Sequence, residues 1–359
     1  MFEKRIKLVR ELTREDKIDG LLVSNVVNIF YLTGFTSFDP AEREGFLLIT
    51  KNENYIFTDG RYSEAVIRNI KGFTLLETTT EKPFIENLKE IVSKLKLKKV
   101  GFEEHNLSVA EYEAISKTVR LSPSGLLVEK LRQTKEDLEI EKIKHACKLT
   151  DDAFEFILTR LKPGATELQI VKELEDMFWK SGATPSFDPI VAFGPNSSLP
   201  HHKSGNTKLN KNQAVLMDFG VKLDGYCSDF TRTIFFGKAE NKFKDMYYAV
   251  KNSQQAAFDY LAKTKNPTLE EADKAARDHI VSKGFPSIPH SLGHGIGIEV
   301  HEFPRLSPKS KEKAKNNIVF SIEPGIYLPG IGGVRIEDLV LFKFGPKLLT
   351  HSNRDLIEI

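Results

Sequence analysis

The first 125 residues alternate between two spacings of apolar positions. At the amino terminus, Phe2, Ile6, Val9 and Leu12 recur at helical spacing, which predicts an amphipathic helix. Short apolar runs predict strands, and the more polar stretches between them have helical periodicity. The elements predicted after the first helix are strands at 20–24, 45–50, 54–59 and 98–105 and helices at 61–70 and 108–119, the last with Ser108 as N-cap. This alternation is typical of an α/β domain.

The pattern changes near residue 125. Helical spacing predicts one long helix over 130–161, which Lys-Pro-Gly at 162–164 ends. Strands dominate the remainder, interrupted by helices predicted at 166–182, 240–264 and 268–284. We therefore expect an α/β (α+β) chain of two domains, with boundaries at 1–127 and 128–359.

Composition excludes several classes of protein. The chain has 359 residues with 52 Lys and Arg against 50 Asp and Glu, so no nucleic-acid or membrane surface is expected. Cys147 and Cys227 are too few for a disulfide framework or a cysteine zinc site. The chain contains no phosphate-binding loop and no GxGxxG after a strand. Because the amino-terminal segment lacks the continuous apolar region of a signal peptide, we predict a reduced, cytoplasmic protein.

Two acids interrupt an apolar hairpin. Asp218 and Asp229 flank a turn for which Asp224-Gly225 is a favourable pair. If the turn is centred one residue earlier, the two acids face each other directly; if it is centred on Asp224-Gly225, they are offset by two residues. Both registers leave them on one face of the sheet. The alternative is that one acid is an exposed turn residue and the other pairs with Arg232.

A second hairpin, at 318–342, repeats the arrangement. Glu323 and Glu337 each interrupt an apolar strand, and a segment rich in Gly and Pro lies between them. Arg335 shares the face of Glu337, whereas Asp338 should point the other way. The alternative, a salt-bridged surface hairpin, fits poorly with strands as apolar as these.

Histidines add a second type of metal ligand. His201 and His202 lie in a loop marked by Gly and Pro, and His294 and His301 lie in a glycine-rich segment. Glycines beside His294 allow the backbone to approach a ligand closely, so His294 is a candidate metal ligand with His301 nearby. A lone histidine is more often structural, and His290 is assigned that role.

Four carboxylates and one imidazole form a hard donor set. Such a set suits two divalent ions about 3.5–4 Å apart, which would acidify a water molecule and polarise a carbonyl oxygen. The donor types favour Mn²⁺, with Co²⁺, Zn²⁺ and Fe²⁺ as alternatives.

The motifs around these residues resemble those of a known family. The segments DFGVKLDGYCSDFTRT, LGHGIGIEVHEFP and IEPGIYLPGIGGVRIED resemble the metal-ligand segments of the pita-bread metallopeptidases, family M24. GPNSSLPHH resembles the segment with the family's first active-site histidine, and NIFYLTGF and FTDGRYSEA resemble the creatinase-type amino-terminal domain of the branch that contains prolidase and aminopeptidase P. Methionine aminopeptidases lack that domain, and creatinase lacks the metal ligands. The resemblance therefore implies a creatinase-type α/β domain followed by a pita-bread domain with a curved antiparallel sheet.

The resemblance also implies a role for each site residue. Asp218 would bind one ion, Asp229 and Glu337 would bridge two ions, and His294 and Glu323 would bind the second. Glu323 would also be the general base, and His201 and His301 would contact the substrate and stabilise the tetrahedral intermediate. The remaining assignments are Arg335 as support for a metal ligand, Tyr226 and Arg305 as pocket candidates, Phe193 and Phe303 as aromatic lining, and His202 as a neighbour of the site.

These roles imply a hydrolase that cleaves the bond before proline. We expect an Xaa-Pro dipeptidase (prolidase), with aminopeptidase P acting on longer peptides as the alternative. A non-catalytic peptide-binding protein on the same fold is a further alternative, which the complete ligand set disfavours. The expected partner is a proline-containing di- or oligopeptide, and the resemblance implies a homodimer.

Overall fold

The amphipathic segment at the amino terminus folds into a helix that buries Ile6 and Val9. In the computed structural model, which describes residues 1–359, this helix belongs to the first of two units, Met1–Arg132. The helices that begin in this unit are α1 (Phe2–Glu15), α2 (Val26–Thr33), α3 (Gly60–Asn69), α4 (Phe84–Leu95), α5 (Val109–Ser116) and α6 (Leu127–Gln133).

A mixed six-stranded sheet forms the centre of the first unit. Its strands are β1 (Gly20–Val23), β2 (Gly45–Thr50), β3 (Asn54–Asp59), β4 (Thr74–Thr78), β5 (Lys99–Phe102) and β6 (Arg120–Pro123). They lie in the order β4-β3-β2-β1-β5-β6. The predicted hairpin β2–β3 is antiparallel, and β5 and β6 extend the sheet in parallel. Ser108 caps α5 as predicted, in a reciprocal pair with Glu111.

The second unit, Gln133–Ile359, is mainly antiparallel. Its helices are α7 (Asp137–Leu158), α8 (Glu167–Lys180), α9 (Asn241–Lys263) and α10 (Leu269–Ser282), with a 3₁₀ turn at Gly194–Ser198. Its strands are β7 (Thr184–Pro185), β8 (Ile190–Phe193), β9 (Gln213–Asp218), β10 (Val221–Leu223), β11 (Tyr226–Cys227), β12 (Thr231–Phe236), β13 (Gly293–Gly295), β14 (Glu302–Leu306), β15 (Ile318–Ile322), β16 (Gly325–Leu328), β17 (Gly332–Arg335), β18 (Asp338–Phe342) and β19 (Pro346–Leu348).

The prediction of one helix over 130–161 was wrong at its start. The chain leaves helical geometry between α6 and α7, where the Lys135 N–H donates to Asn317 O at 2.8 Å. The Lys135 side chain is buried and contacts Glu302 at 3.1 Å. Because the Lys135 backbone and side chain make these long-range contacts, the helix is interrupted there. A new helix, α7, begins after Glu136, whose N–H donates to the Glu139 side chain. Helical periodicity alone does not show such a break.

Two cores hold the strands that carry the polar residues. α7 packs Phe154 and Ile157 with Met217 of β9 and with Phe230. α9 and α10 form the second core, which includes Val250, Ala276, Phe320 and Val340. No helix in the structure combines the length and the apolar character that crossing a bilayer requires.

Candidate metal centre

The first hairpin has the register centred on Asp224-Gly225. Both turn residues have positive φ, 50° and 81°, as a tight two-residue loop requires. Lys222 pairs with Cys227 and, further along, Asp218 pairs with Thr231. Asp229 is therefore offset by two residues from the residue opposite Asp218, and the two carboxylates share a face.

The second hairpin places its acids opposite each other. β15 pairs with β18 up to Ile322 opposite Asp338, and β16 resumes with Gly325 opposite Arg335. The same register continues between these strand pairs, so Glu323 lies opposite Glu337. The two acids therefore occupy the break between the strand pairs, each one residue beyond the last paired residue of β15 or β18.

His294 joins the two hairpins. Its Nε2 lies 3.2 Å from Glu323 Oε1 and 3.5 Å from Asp229 Oδ2. One ligand atom each from Asp229, His294 and Glu337 lies within 4.8 Å of the others. The Nδ1 atom contacts Gly295 O at 3.1 Å, which directs Nε2 toward the carboxylates.

Asp218 and Glu337 each have one carboxylate oxygen that accepts a hydrogen bond and one that does not. Arg335 donates to Asp218 Oδ2, and Thr231 Oγ1 donates to Glu337 Oε2 at 2.7 Å. The other oxygens, Asp218 Oδ1 and Glu337 Oε1, are buried without a hydrogen-bond partner. Buried polar atoms are nearly always paired, and two unpaired carboxylate oxygens are suited to bind a cation.

Repulsion between the site carboxylates also indicates that these residues are suited to bind a cation. Burial and the neighbouring carboxylates raise the pKa of Asp229 and Glu337 well above the usual range. Burial also raises the pKa of Asp218, although Arg335 opposes the shift. Burial acts in the same direction on Glu323, but the hydrogen bond to His294 outweighs it and lowers the pKa of Glu323 to about 2.

The residues fit a divalent metal site. Four carboxylates and an imidazole converge with two oxygens unpaired, and hard divalent cations prefer such donors. A bound cation would stabilise the ionised carboxylates and reverse the upward pKa shifts. Asp218, Asp229, His294, Glu323 and Glu337 are the residues that would hold it.

These residues line a cavity of about 520 Å³. Two further predicted residues, His201 and His301, lie on its wall, and the rings of His294 and His301 are 4.4 Å apart. Burial and the charge of His294 lower the pKa of His301, which favours a neutral imidazole. Arg305 and Arg335 line the same cavity.

Three sequence-based assignments do not match the cavity wall. Tyr226 is buried and donates to Glu139 at 3.0 Å, away from the cavity lining. Phe193 is buried in the core, and Phe303 is 40% exposed; neither lines the cavity. All three residues lie on strands, and successive side chains of a strand point to opposite faces. Closeness to the site residues in sequence therefore does not place a side chain in the cavity. His202 is not part of the cavity wall, and its Nε2 contacts Glu167 Oε2 at 2.9 Å.

Sequence reasoning did not predict several residues of this region, among them His290, Phe187 and Tyr327. His290, assigned a structural role, lines the cavity together with Phe187. Tyr327 connects His290 to Arg335, with its hydroxyl 3.0 Å from His290 Nε2 and 2.8 Å from Arg335 Nη1. The available signal was the position of His290 just before the glycine-rich segment. Phe187 lies in an irregular loop and had no such signal.

Comparisons with known proteins agree with this geometry. Residues 141–343 match the model of metallopeptidase family M24, and residues 5–134 match the creatinase/prolidase N-terminal domain. An uncharacterized peptidase of Bacillus subtilis is 37% identical over 98% of this chain and 99% of its own length. The chain therefore belongs to metallopeptidase family M24.

Solved structures share the whole fold. An Xaa-Pro dipeptidase from Bacillus anthracis is 36% identical, covers 100% of both chains and has a TM-score of 0.93. An X-Pro aminopeptidase from Thermotoga maritima is 33% identical, covers 97% of this chain and 100% of its own, and has a TM-score of 0.87. The predicted fold class, a creatinase-type domain followed by a peptidase domain, is confirmed, as is the enzyme class of metallopeptidase.

Proposed function

We propose that this protein is a dinuclear metal-dependent Xaa-Pro dipeptidase. The observation that carries the proposal is the convergence of Asp218, Asp229, His294, Glu323 and Glu337 in one cavity beside His201 and His301. Similarity to a solved Xaa-Pro dipeptidase over the full chain supports the substrate class. We propose Mn²⁺ as the metal because oxygen donors dominate the site.

Two divalent cations would supply Lewis acidity, which acidifies water and polarises a carbonyl. Asp229 and Glu337, which approach from different hairpins, are the residues suited to contact both ions. Asp218 would serve one ion and His294 and Glu323 the other. Arg335 keeps Asp218 oriented through their ion pair.

The chain's own groups would then move the proton and hold the substrate. Glu323 lines the cavity and lies 3.2 Å from His294 Nε2, and its carboxylate would accept a proton from water as general base. It would return the proton to the proline nitrogen, which has no hydrogen before cleavage. His201 and His301 face the cavity and would stabilise the developing oxyanion.

Aminopeptidase P activity is the second candidate. Its support is the similarity to the X-Pro aminopeptidase of Thermotoga maritima over 97% of this chain. The two activities differ in whether residues after proline are accepted. The experiment is to compare kcat/KM for an Xaa-Pro dipeptide and an Xaa-Pro-Xaa tripeptide with Mn²⁺, Co²⁺, Zn²⁺ and Fe²⁺. We expect the dipeptide with Mn²⁺ to give the higher value; a preference for the tripeptide would favour aminopeptidase P, and hydrolysis of neither would reject the proposal.

The role of Glu323 is tested by Glu323→Gln. We expect kcat to fall by roughly 10²–10⁴-fold, because the amide cannot accept the proton. The control is Glu155→Gln, which changes an exposed carboxylate of α7. Circular dichroism and thermal unfolding check that both variants fold. Turnover by Glu323→Gln within a few-fold of the wild type would remove Glu323 as the base.

The homodimer and the cytoplasmic location stay predictions from the sequence.

A further inference from the structure

One buried carboxylate holds both ends of the loop that carries His201. Glu167, the first residue of α8, is fully buried. Its Oε1 accepts from the Phe193 N–H at 2.9 Å, at the start of the loop. Its Oε2 accepts from the Gly205 N–H at 2.9 Å, at the end of the loop, and contacts His202 Nε2 at 2.9 Å. The two ends of the loop are therefore tied to one side chain.

The loop has further contacts that depend on this carboxylate. Asn196 Nδ2 donates to Glu167 Oε1 at 2.8 Å, so both carboxylate oxygens accept two bonds. Glu167 is not the N-cap of α8, a role that Thr166 fills. Burying a charge is costly unless donors surround it, and here the donors come almost entirely from the loop. The carboxylate therefore stabilises this loop more than its own helix.

The middle of the loop is held by the hairpin that carries Arg335. The Gly333 N–H donates to Ser197 Oγ at 2.8 Å, and a Cβ at Gly333 would lie 2.2 Å from Ser197 O. His201 itself, in contrast, makes no hydrogen bond within the chain and lies exposed on the cavity wall. Its position therefore depends on the backbone of the loop, which Glu167 fixes at both ends.

We propose that Glu167 is the positioning residue for His201, with His202 as one of its attachment points. This inference rests on the proposed role of His201 in holding the substrate. A mutation far from the reacting atoms that misplaces a group of the site by about 1 Å can reduce turnover about 10²-fold. Glu167 contacts neither the metal ligands nor the cavity wall, so it acts through the loop.

The first test is Glu167→Gln. The glutamine places an NH₂ group against N–H donors at one end of the loop, so that end is released. We expect kcat/KM for an Xaa-Pro dipeptide to fall by roughly 10–100-fold, with unchanged Mn²⁺ content because the metal ligands lie on other elements. The matched control is Asp176→Asn, the equivalent change of an exposed carboxylate on α8, which should behave as the wild type.

A double-mutant cycle separates positioning from general support of the fold. If Glu167 acts through His201, Glu167→Gln adds nothing to the loss caused by His201→Ala. Multiplied losses in the double variant would overturn the proposal, as would wild-type kcat/KM in either single variant. If Glu167→Gln does not fold, Asn196→Ala and His202→Ala, each of which removes one donor, take its place in the cycle.

A readout without turnover keeps this inference distinct from the proposed function. In the wild type the Phe193 amide donates to one carboxylate oxygen and the Gly205 amide to the other. Hydrogen exchange of whichever amide faces the glutamine NH₂ should therefore accelerate in Glu167→Gln. If the protein hydrolyses no Xaa-Pro peptide, the proposed function fails while this exchange still reports whether Glu167 fixes the loop. Wild-type protection of both amides would overturn the inference.

Discussion

Neighbouring acids in the second hairpin have opposite environments. Asp338 is fully buried, and its oxygens accept from Arg232 at 2.6 Å, Thr350 at 2.7 Å and Gln254 at 3.0 Å. Glu337, one residue earlier, faces the cavity and has an unpaired oxygen. The pleat explains the difference, because adjacent residues point to opposite faces. Asp338 therefore belongs to the structure of the fold, and Glu337 belongs to the site.

Loss of the Arg232 guanidinium, which pairs with Asp338, should destabilise the second unit. Arg232→Met removes the ion pair with Asp338 and leaves a charge that is fully buried. We expect the free energy of unfolding to fall by about 3–5 kcal/mol, measured by urea denaturation. The double variant Arg232→Met/Asp338→Asn should recover part of this loss, because it removes the uncompensated charge. A single variant within about 1 kcal/mol of the wild type would contradict the assignment.

At the scale of elements, the sequence predicts which face the acids share but not their surroundings. Period-two alternation placed Asp218 and Asp229 on one face, because that rule holds in either register. For Glu323 and Glu337 the sequence predicted only that each interrupts an apolar strand. The choice of register depended on which turn residues adopt positive φ, and the structure gives Asp224 and Gly225. Cavity residues from irregular segments follow no period, so pattern alone could not find them.

Gly220 marks the break between β9 and β10, where a side chain would not fit. A Cβ at this position would lie 2.0 Å from Ser228 O, in the segment that leads into Asp229. We expect Gly220→Ala to destabilise the protein by about 1–3 kcal/mol and to weaken Mn²⁺ binding roughly 10-fold or more, because Asp229 moves with the backbone. Calorimetric titration with Mn²⁺ measures the second effect.

Gly60 provides the control for this substitution. It begins α3 in the other unit, and a Cβ there would have no atom nearer than 3.6 Å. Gly60→Ala should therefore leave Mn²⁺ affinity unchanged. Equal affinity in Gly220→Ala and the wild type would show that the hairpin tolerates a side chain at the break and that Asp229 is held by other contacts.

At the scale of the whole molecule, the two units differ in how directly the sequence predicts them. The first unit consists of regular strands and helices, whose periods and caps are local signals. The second unit uses short strands interrupted beside the site, together with the irregular connection between α6 and α7. Those interruptions depend on long-range partners such as Lys135 with Glu302, which no local pattern contains.

Metal removal should reverse the pH dependence of stability in the second unit. In the metal-free protein the pKa values of Asp229 and Glu337 are raised by burial and by repulsion from neighbouring carboxylates. The folded protein then binds more protons than the unfolded chain above about pH 4, the ordinary range of carboxyl groups. Its stability therefore falls as pH rises. Metal binding requires ionised carboxylates, so the stabilisation by metal grows as pH rises.

The measurement is urea denaturation at pH 5.5 and pH 8, with EDTA or with Mn²⁺. At a free Mn²⁺ concentration 100-fold above Kd, one site adds about 2.7 kcal/mol, and we expect this gain at pH 8 and a smaller one at pH 5.5. Asp229→Asn, which removes a ligand and a buried charge together, should respond weakly to both Mn²⁺ and pH. Parallel pH profiles with EDTA and with Mn²⁺ would show that the buried carboxylates do not bind the ion, because their protonation would then be independent of it.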